Sequence, residues 1–271
     1  MTQAAPLEVL LPGASGTTAL PDDESLLALY DDPPPRAVTG AHVRGIMVAS
    51  LDGAATGPDG RSGSLGDAAD RRVFAALRAL ADVVLVGAGT VRAEGYEDVQ
   101  VPARLREVRA ARGRAPRIEL AVVTASGAVP AAVLDAGALV VTASGAPGLA
   151  ALRDRIGDDR LVVADAPGDP GAPARVDVAA AVRALADRGL THVHAEGGPS
   201  LLHELLGAGV LDELCLTLAP LLVGGLALGP LVGGAPAWPG RRPAPLPAPA
   251  RLELAHLLRS GDTLLGRWLV A

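Results

Sequence analysis

The sequence predicts an α/β domain with a mainly parallel central sheet, helices on both faces and an antiparallel hairpin at its C-terminus. Three observations predict this class. Short, fully apolar runs such as 83–86 are typical of strands buried on both faces. Stretches with helical spacing alternate with such runs along most of the chain. Residues 251–270 instead contain two strand-like segments on either side of the turn Ser260–Asp262.

Residues 1–40 are predicted to form an N-terminal extension to a single domain at 41–271. The extension contains an apolar patch at Leu26, Leu27 and Leu29, followed by a triple proline at 33–35. A helix does not continue through three prolines. We therefore expect either a linker or an arm packed on the domain.

The domain itself is predicted element by element. A loop rich in Gly, Ser and Asp covers 57–67, and the next helix begins at Asp67 or Asp70. Other helices are expected over 149–156, over 178–188 and from near Pro199. A long proline-rich loop is expected over 235–250. Strands are predicted at 43–49, 83–86, 120–123, 139–141, 161–164, 192–195, 214–218, 251–256 and 263–270.

Composition narrows the class of function. The chain has 271 residues, of which 49% are apolar but only 2% aromatic, so aliphatic side chains must fill the core. The net charge of −6 argues against nucleic acid as the main partner. All 24 basic residues are arginine, so no lysine is available to form a Schiff base.

The cysteine count and the hydropathy of the chain indicate its compartment. The single Cys215 forms no internal disulfide, which favours a reducing compartment. The first twenty residues lack the basic and apolar regions of a secretory signal. The long uncharged run at 214–240 holds too many prolines and glycine pairs for a spanning helix. We expect a cytoplasmic protein.

The strongest local signal runs from 191 to 202. An apolar strand enters the turn Gly197-Gly198, and Pro199 suits the first turn of a helix. Glycines let backbone approach a ligand, and free N–H groups within residues 198–201, together with the helix dipole, would attract an anion. A dinucleotide pyrophosphate would fit. The alternative is an ordinary tight strand-to-helix turn.

Side chains at the end of this strand are candidates for chemistry. Glu196 stands where open α/β sheets place ligands, and could bind substrate, position a proton donor or merely cap a helix. His192 and His194 share a strand face, where such pairs are more often structural. The string 194–196 resembles the His-x-Glu of zinc deaminases, but one cysteine cannot supply their Cys-x-x-Cys. No metal site is expected.

Two weaker signals lie earlier in the chain. The segment 87–95 follows a buried strand but lacks the third glycine of a Rossmann fingerprint, since position 92 is Arg. It is predicted to be a loop suited to close backbone contact, with Thr90 as a hydroxyl donor. The segment 47–53 and the loop to Ser64 would, taken alone, fit any strand and turn.

Six segments in order resemble the reductase domain of the bacterial riboflavin-biosynthesis deaminase/reductase family. The resemblance implies a dihydrofolate-reductase-like fold, NADPH as cofactor and usually a homodimer. It also implies reduction of the ribosyl group of a 5-amino-6-(5-phosphoribosylamino)uracil. The matching segments are 49–53, 77–82, 86–92, 196–199, 210–214 and 219–225.

The resemblance implies a role for each matching residue. The catalytic residues would be Glu196, Ser50 and Asp52. The substrate would meet Ser62, Glu196 and Arg78, whose guanidinium suits a phosphate dianion. The cofactor would be bound by Val48, Ala49, Ser64, Gly87, Gly89, Thr90, Glu94, Thr124, Gly197, Gly198, Pro199, Ser200, Leu201 and Leu202.

The chain also departs from the family pattern. The family commonly has lysine near Ile46, and its acidic-Asn-Pro sequence is here Glu94-Gly95-Tyr96. An aromatic residue of the family corresponds to Ser64 or Leu65, and residues 1–40 are too few to hold the usual deaminase domain. Two alternatives therefore remain open. One is the same fold acting on a dihydrofolate-like or other heterocycle, and the other is a non-catalytic NADPH-binding protein.

Overall fold

One sheet runs through the part of the chain that the structure describes. The structure is a computed structural model, and it describes residues 5–11, 18–30, 33–167, 174–224, 230–232, 246 and 249–271. The strands, numbered in chain order, are Leu7–Leu11 (β1), Thr18–Leu20 (β2), His42–Ser50 (β3), Val83–Gly87 (β4), Glu119–Val123 (β5), Leu139–Thr142 (β6), Leu161–Val163 (β7), His192–Ala195 (β8), Glu213–Ala219 (β9), Leu252–Ser260 (β10) and Thr263–Val270 (β11). Their order across the sheet is β2-β1-β10-β11-β9-β3-β8-β4-β5-β6-β7.

Helices lie on both faces of this sheet. They are Asp23–Tyr30 (α1), Ala68–Ala79 (α2), Ala88–Glu94 (α3), Ala103–Ala111 (α4), Ala131–Asp135 (α5), Leu149–Ile156 (α6), Val178–Ala186 (α7) and Pro199–Gly207 (α8), with short 3₁₀ turns at Ser62–Ser64 and Asp158–Arg160. Apolar residues of α1, α2 and α4 bury one face of the sheet, and those of α7 and α8 bury the other.

The predicted fold class is confirmed. Strands β3 to β9 pair with one another in parallel, which is the sheet type that needs helices on both faces. The hairpin of β10 and β11 pairs antiparallel with β9, at the position that the C-terminal pattern predicts. The strands predicted within the domain are present, with ends that differ by a few residues at most.

The N-terminal segment packs on the domain. Strand β1 pairs antiparallel with β10 and so extends the sheet. The C-terminal end of α1 is capped by two buried arginines, because Arg44 Nη2 donates to the Tyr30 carbonyl at 2.9 Å and Arg267 Nη1 donates to the Leu29 carbonyl at 3.0 Å. Both arginines also bind the carboxylate of Glu213 on β9. Cations favour the negative end of a helix, so this network holds α1 on the sheet.

Because of titratable groups in and beside this network, we expect the stability of the fold to decrease in acid. Burial alone would raise the pKa of Glu213, but His42, Arg44 and Arg267 outweigh it and lower that pKa to about 2. Burial, helped by the charge of Arg267, lowers the pKa of His256 to about 4. A histidine with a lowered pKa takes up its proton more readily when unfolded, so its contribution to stability is lost as pH falls from about 6.5 to 4. The contribution of Glu213 to stability is lost as pH falls from about 4.5 to about 2.

We expect the free energy of unfolding in urea to fall by up to about 3 kcal/mol between pH 7 and pH 4 on account of His256 alone. The substitution His256→Asn removes the titrating group and should make this part of the profile flatter. An equal loss in the native protein and the variant would show that His256 does not govern this range.

No helix among the described ranges is long and apolar enough to cross a membrane. The predicted proline-rich loop at 235–250 lies outside the described residues except at 246 and 249–250, as do 225–229 and 233–234 of the apolar run that follows β9.

Candidate active site

The predicted functional segments meet at one edge of the sheet. Strands β3, β4 and β8 are parallel neighbours, with Ala195 in register with both Gly45 and Leu85. Their carboxyl ends therefore lie side by side, and the segments that follow them come together. Such edges are where open α/β sheets bind ligands.

Two glycine turns are in direct contact at this edge. The N–H of Gly87 donates to the carbonyl of Gly197 at 2.9 Å. A Cβ placed on Gly198 would lie only 2.7 Å from Oγ1 of Thr90, and Gly197 has a φ of 92° with Met47 Sδ close to it. Side chains larger than hydrogen are therefore excluded from the space between the turns. The turns predicted to share a site are adjacent.

The segment after β4 is a helix and not the predicted loop. Residues 88–94 form α3, with Gly87 at its N-cap and Gly95 in the left-handed conformation (φ 75°) that ends it. Thr90 faces Gly198 from the first turn of α3, whereas Gly89 is exposed. Thr90 is thus held at a fixed position on a helix and not in a loop.

The first turn of α8 differs in one respect from expectation. Gly198 is its N-cap, and the N–H groups of Leu201 and Leu202 both donate to the Gly198 carbonyl, at 3.0 and 3.1 Å. The N–H of Leu201 is therefore not free, because the helix closes its first hydrogen bonds here. Both leucine side chains are buried in the core. Pro199 and Ser200 stay partly exposed at the helix start.

A buried ion pair joins α2 to the end of β8. Arg78 donates to Glu196 through Nε at 2.7 Å and through Nη2 at 2.6 Å. The side chain of Glu196 is 1% exposed and that of Arg78 is 17% exposed. Such bidentate pairs are strong and geometrically specific. Glu196 occupies this edge of the guanidinium in the structure, and the binding of a substrate phosphate by Arg78 stays a prediction.

Tyr96 completes the cluster and was missed by the sequence reasoning. Its hydroxyl donates to Glu196 Oε2 at 2.8 Å. Arg78 Cζ lies 4.3 Å from the Phe74 ring centre and 5.8 Å from that of Tyr96. An aromatic residue directly after Gly95 was the available signal, in a chain where aromatics are only 2%.

Electrostatics fix the protonation of this cluster. Burial, followed by the negative charge of Glu196, raises the pKa of Tyr96 well above its ordinary value. Burial alone would lower the pKa of Arg78, but hydrogen bonding to Glu196 and its charge outweigh burial and raise it. Tyr96 is thus a neutral donor and Arg78 a permanent cation.

Two of the predicted catalytic residues, Ser50 and Asp52, form hydrogen bonds with each other and with the loop after β9. Ser50 Oγ donates to Asp52 Oδ1 at 2.5 Å and accepts from the N–H of Ala54 at 2.9 Å. The N–H groups of Val223 and Gly224 donate to the Asp52 carboxylate. The hydrogen bond from Ser50, then those from these N–H groups, lower the pKa of Asp52 to about 2. Asp52 therefore stays ionised at neutral pH and holds no proton to donate.

The loop at 57–67 is tied to α3 by a predicted site residue. Glu94 Oε1 accepts from the N–H of Ser62 at 2.6 Å. Ser64 Oγ donates instead to Asp59 Oδ1 at 2.7 Å. The structure thus brings Ser62 and Glu94 together, and the hydroxyl of Ser64 stabilises its own turn.

The other expected cofactor residues flank the two glycine turns. Val48 and Ala49 lie near the end of β3, where Val48 is partly exposed and Ala49 is buried. Thr124 directly follows β5, and its Oγ1 accepts from the N–H of Gly127 at 3.1 Å. These residues complete one continuous edge, although the hydroxyl of Thr124 is committed to its turn.

The two histidines of β8 do not belong to this site. His194 is buried with Nε2 3.4 Å from Arg44 Nη1, and burial followed by that positive charge lowers its pKa well below the usual value. His192 donates its backbone N–H to Asp82 Oδ2 at 2.9 Å. Both histidines lie in the hydrogen-bonding networks of the sheet.

Comparisons with known proteins find similar sequences and a similar fold. Residues 41–265 match the RibD C-terminal domain family. Over 184 residues the chain is 29% identical to the Archaeoglobus fulgidus 2,5-diamino-6-ribosylamino-4(3H)-pyrimidinone 5′-phosphate reductase, covering 66% of this chain and 80% of that protein. It is 30% identical over 184 residues to the riboflavin biosynthesis protein RibD of Mycobacterium tuberculosis, covering 68% of this chain but only 43% of that longer protein.

A solved structure is similar over most of its length. The pyrimidine reductase-like protein of Corynebacterium diphtheriae superposes with a TM-score of 0.69 at 26% identity, covering 86% of this chain and 93% of that chain.

Proposed function

Because the chain belongs to the RibD C-terminal domain family, we propose that it is an NADPH-dependent reductase of a phosphoribosylaminopyrimidine. The observation that carries the proposal is the glycine-lined crevice between Gly87, Thr90 and Gly198, next to the buried cluster of Arg78, Glu196 and Tyr96. The crevice suits a dinucleotide, and the cluster supplies charge beside it. The named activity of the Archaeoglobus relative supports the same substrate class.

The crevice fits the cofactor on physical grounds. Because Gly198 has no side chain, its backbone would let a pyrophosphate approach closely, next to the Thr90 hydroxyl that a Cβ would meet. We propose that 197–200 and Gly87 hold the phosphates, aided by the dipole of α8, and that Val48 and Ala49 lie against the nicotinamide. Ser64, Gly89, Thr90, Glu94 and Thr124 would complete the cofactor site, with Leu201 and Leu202 fixing the helix behind it.

The residues of the chain would bind and orient the substrate. When bound, NADPH supplies the hydride, and the protein supplies position and electrostatics. Arg78 holds the Glu196 carboxylate in place, and Tyr96 donates its hydroxyl proton to Glu196 Oε2. We propose that Glu196 accepts from a substrate hydroxyl or N–H, with Ser62 at the rim. Ser50 and Asp52 would shape the pocket through the turn after β3.

The proposal extends to location and assembly. We propose a cytoplasmic enzyme, consistent with the single Cys215, whose thiol pKa burial raises to about 12. A homodimer is proposed from the family resemblance. The exposed Leu221 and Leu222 after β9 offer apolar surface for such contact.

The test is a titration followed by an assay. Quenching of NADPH fluorescence should saturate, and nicotinamide absorbance should then fall only when a phosphoribosylaminopyrimidine is added. Binding without oxidation by any candidate would favour a non-catalytic NADPH-binding protein. Oxidation with dihydrofolate in place of the pyrimidine would favour the alternative substrate, and absence of any saturable signal would overturn the assignment.

A further inference from the structure

The N-terminal arm, defined as residues 5–11 and 18–30, packs on α2, the helix that carries Arg78. It precedes the part of the chain that matches the family, residues 41–265. The arm forms an outer layer over α2 and α4, because its apolar side chains share one core cluster with the inner faces of both helices. Its members in that cluster are Leu7, Leu20, Leu26, Leu27 and Tyr30.

Arg72 of α2 holds three separate parts of this arm. Its Nη1 donates to the Ala5 carbonyl at 2.8 Å and to that of Leu20 at 3.4 Å, and its Nε donates to Asp23 Oδ1 at 3.0 Å. Arg72 is only 6% exposed, so these bonds are made away from water. Buried hydrogen bonds of a charged group are strong and costly to leave unmade. The guanidinium therefore fixes β1, β2 and α1 relative to α2.

Asp23 extends this connection to α4. Its second oxygen, Oδ2, accepts from Arg104 Nε at 2.6 Å, so one carboxylate bridges α2 and α4. Asp23 lies in the first turn of α1, where the helix dipole favours a negative charge, and its side chain is 16% exposed. Arg104 is far more exposed and would contribute little by itself. The bond to the buried Arg72 is therefore the stronger half of the bridge.

Another arginine of α4 fixes the end of α2 beside Arg78. Arg109, which is 1% exposed, donates through Nη1 to the carbonyls of Ala79, at 3.4 Å, and of Ala81. The last carbonyls of a helix lack partners within the helix, and a cation there is favourable. Helix α2 is thus held in its first half by the bridge through Asp23 and at its end by Arg109.

We propose that Asp23 is a positioning residue for substrate binding, because its bridge between α2 and α4 sets the alignment of Arg78 with Glu196. This inference rests on the proposed function, in which the Glu196 carboxylate binds the pyrimidine. Arg72 and Arg78 are six residues apart on α2, about 9 Å along its axis, and rigid helices carry coupling over such distances. A bidentate pair requires the two groups to be aligned, so a small tilt of α2 weakens one of its bonds.

The first test measures the kinetics of Asp23→Asn in the full chain, with the pyrimidine that the native protein reduces. We expect KM for this substrate to rise by about 3- to 30-fold, and NADPH affinity to stay within about twofold. Assays are run well below the onset of thermal unfolding, so that lower stability does not appear as weaker binding. Asp23→Glu keeps the bridging carboxylate and should restore most of the native KM. A native KM in Asp23→Asn would overturn the proposal.

Glu24→Gln is the matched control. Glu24 stands beside Asp23 in the first turn of α1 and is exposed. Its replacement removes the same charge from the same turn and leaves the bridge to Arg72 in place. We expect a native KM in this variant. A rise in KM equal to that in Asp23→Asn would assign the effect to charge at the start of α1 and would also overturn the proposal.

The second test does not depend on activity. The chain has two tyrosines, so tyrosine labelled with ¹³C at Cζ gives one NMR signal for each, and the signal lost in Tyr96→Phe is that of Tyr96. This signal reports on the ion pair, because the Tyr96 hydroxyl donates to Glu196 and its ring lies near Arg78. Without substrate or cofactor, we expect Asp23→Asn to move the signal and Glu24→Gln to leave it in place. An unmoved signal in Asp23→Asn would contradict the positioning role.

The two tests together separate this inference from the proposed function. A Tyr96 signal that moves in Asp23→Asn, in a protein that reduces no pyrimidine, would uphold the control of the ion pair by Asp23 and refute the reductase. Normal reduction by the native protein, with an unmoved signal and an unchanged KM in Asp23→Asn, would refute the role of Asp23 alone.

Discussion

Replacing Gly198 with valine is expected to weaken NADPH binding by at least about 100-fold while the protein remains folded. A single Cβ at this position already lies 2.7 Å from Thr90 Oγ1, and valine adds two further methyl groups to the crevice between the turns. Gly198 is partly exposed, so the core is not overpacked. Fluorescence titration measures the affinity, and circular dichroism with thermal unfolding measures the fold.

Two variants separate the possible causes of this loss. Gly207→Ala, at the other end of α8, places its Cβ 3.7 Å from Leu246 Cδ2 and should leave NADPH binding unchanged. In Gly198→Ala combined with Thr90→Ala the direct clash is removed but the added Cβ still occupies the crevice. We expect this double variant to bind NADPH weakly. Normal NADPH affinity in Gly198→Val would show that the crevice is not the phosphate cradle.

The fold was predictable where local pattern and tertiary burial agree. Runs such as 83–86 are apolar throughout because both faces of a central parallel strand are covered, and they were found where expected. The helices α4 and α5 were not predicted. In α4 only Leu105 and Arg109 are buried, so the apolar period that marks a helix is nearly absent.

The strands β1 and β2 escaped prediction for a different reason. They are short, and β1 is only partly buried, because they extend the sheet beyond the C-terminal hairpin. The pairing of β1 with β10 joins residues about 250 apart in sequence, such as Glu8 and Arg259. Local patterns carry no information about such a partner. The α1 cap made by Arg44 and Arg267 is unpredictable on the same grounds.

The positions of the backbone turns at the site could be predicted from the sequence, whereas the contacts between its side chains could not. The glycine turns follow parallel strands, and parallel strands end at a common edge, so their contact follows from the fold class. The pairing of Arg78 with Glu196 joins residues 118 apart. Each was recognised as a substrate candidate, but the pattern gave no sign that they bind one another. Tyr96 was passed over because it occupied a position where the family resemblance failed.

Removing Arg78 should have the second large effect, on stability and on substrate binding together. In Arg78→Ala the carboxylate of Glu196, 1% exposed, loses both guanidinium hydrogen bonds and keeps the one from Tyr96. Leaving a buried charge without its partner costs about 3–5 kcal/mol. We expect the free energy of unfolding to fall by that amount, KM for the pyrimidine to rise by about 100-fold or more, and NADPH affinity to stay within about twofold.

A double variant separates stability from function. Replacing a buried ion pair by apolar residues of similar size is often neutral for stability, so Arg78→Met with Glu196→Leu should regain most of the lost unfolding free energy. Because Glu196 is proposed to hold the substrate, that variant should remain inactive while it still binds NADPH. Tyr96→Phe keeps the ion pair and removes one hydrogen bond, so we expect a smaller fall in kcat/KM, about tenfold. Recovery of activity in the double variant would show that the cluster only stabilises the junction of α2 and β8, and that substrate binds elsewhere on the sheet edge.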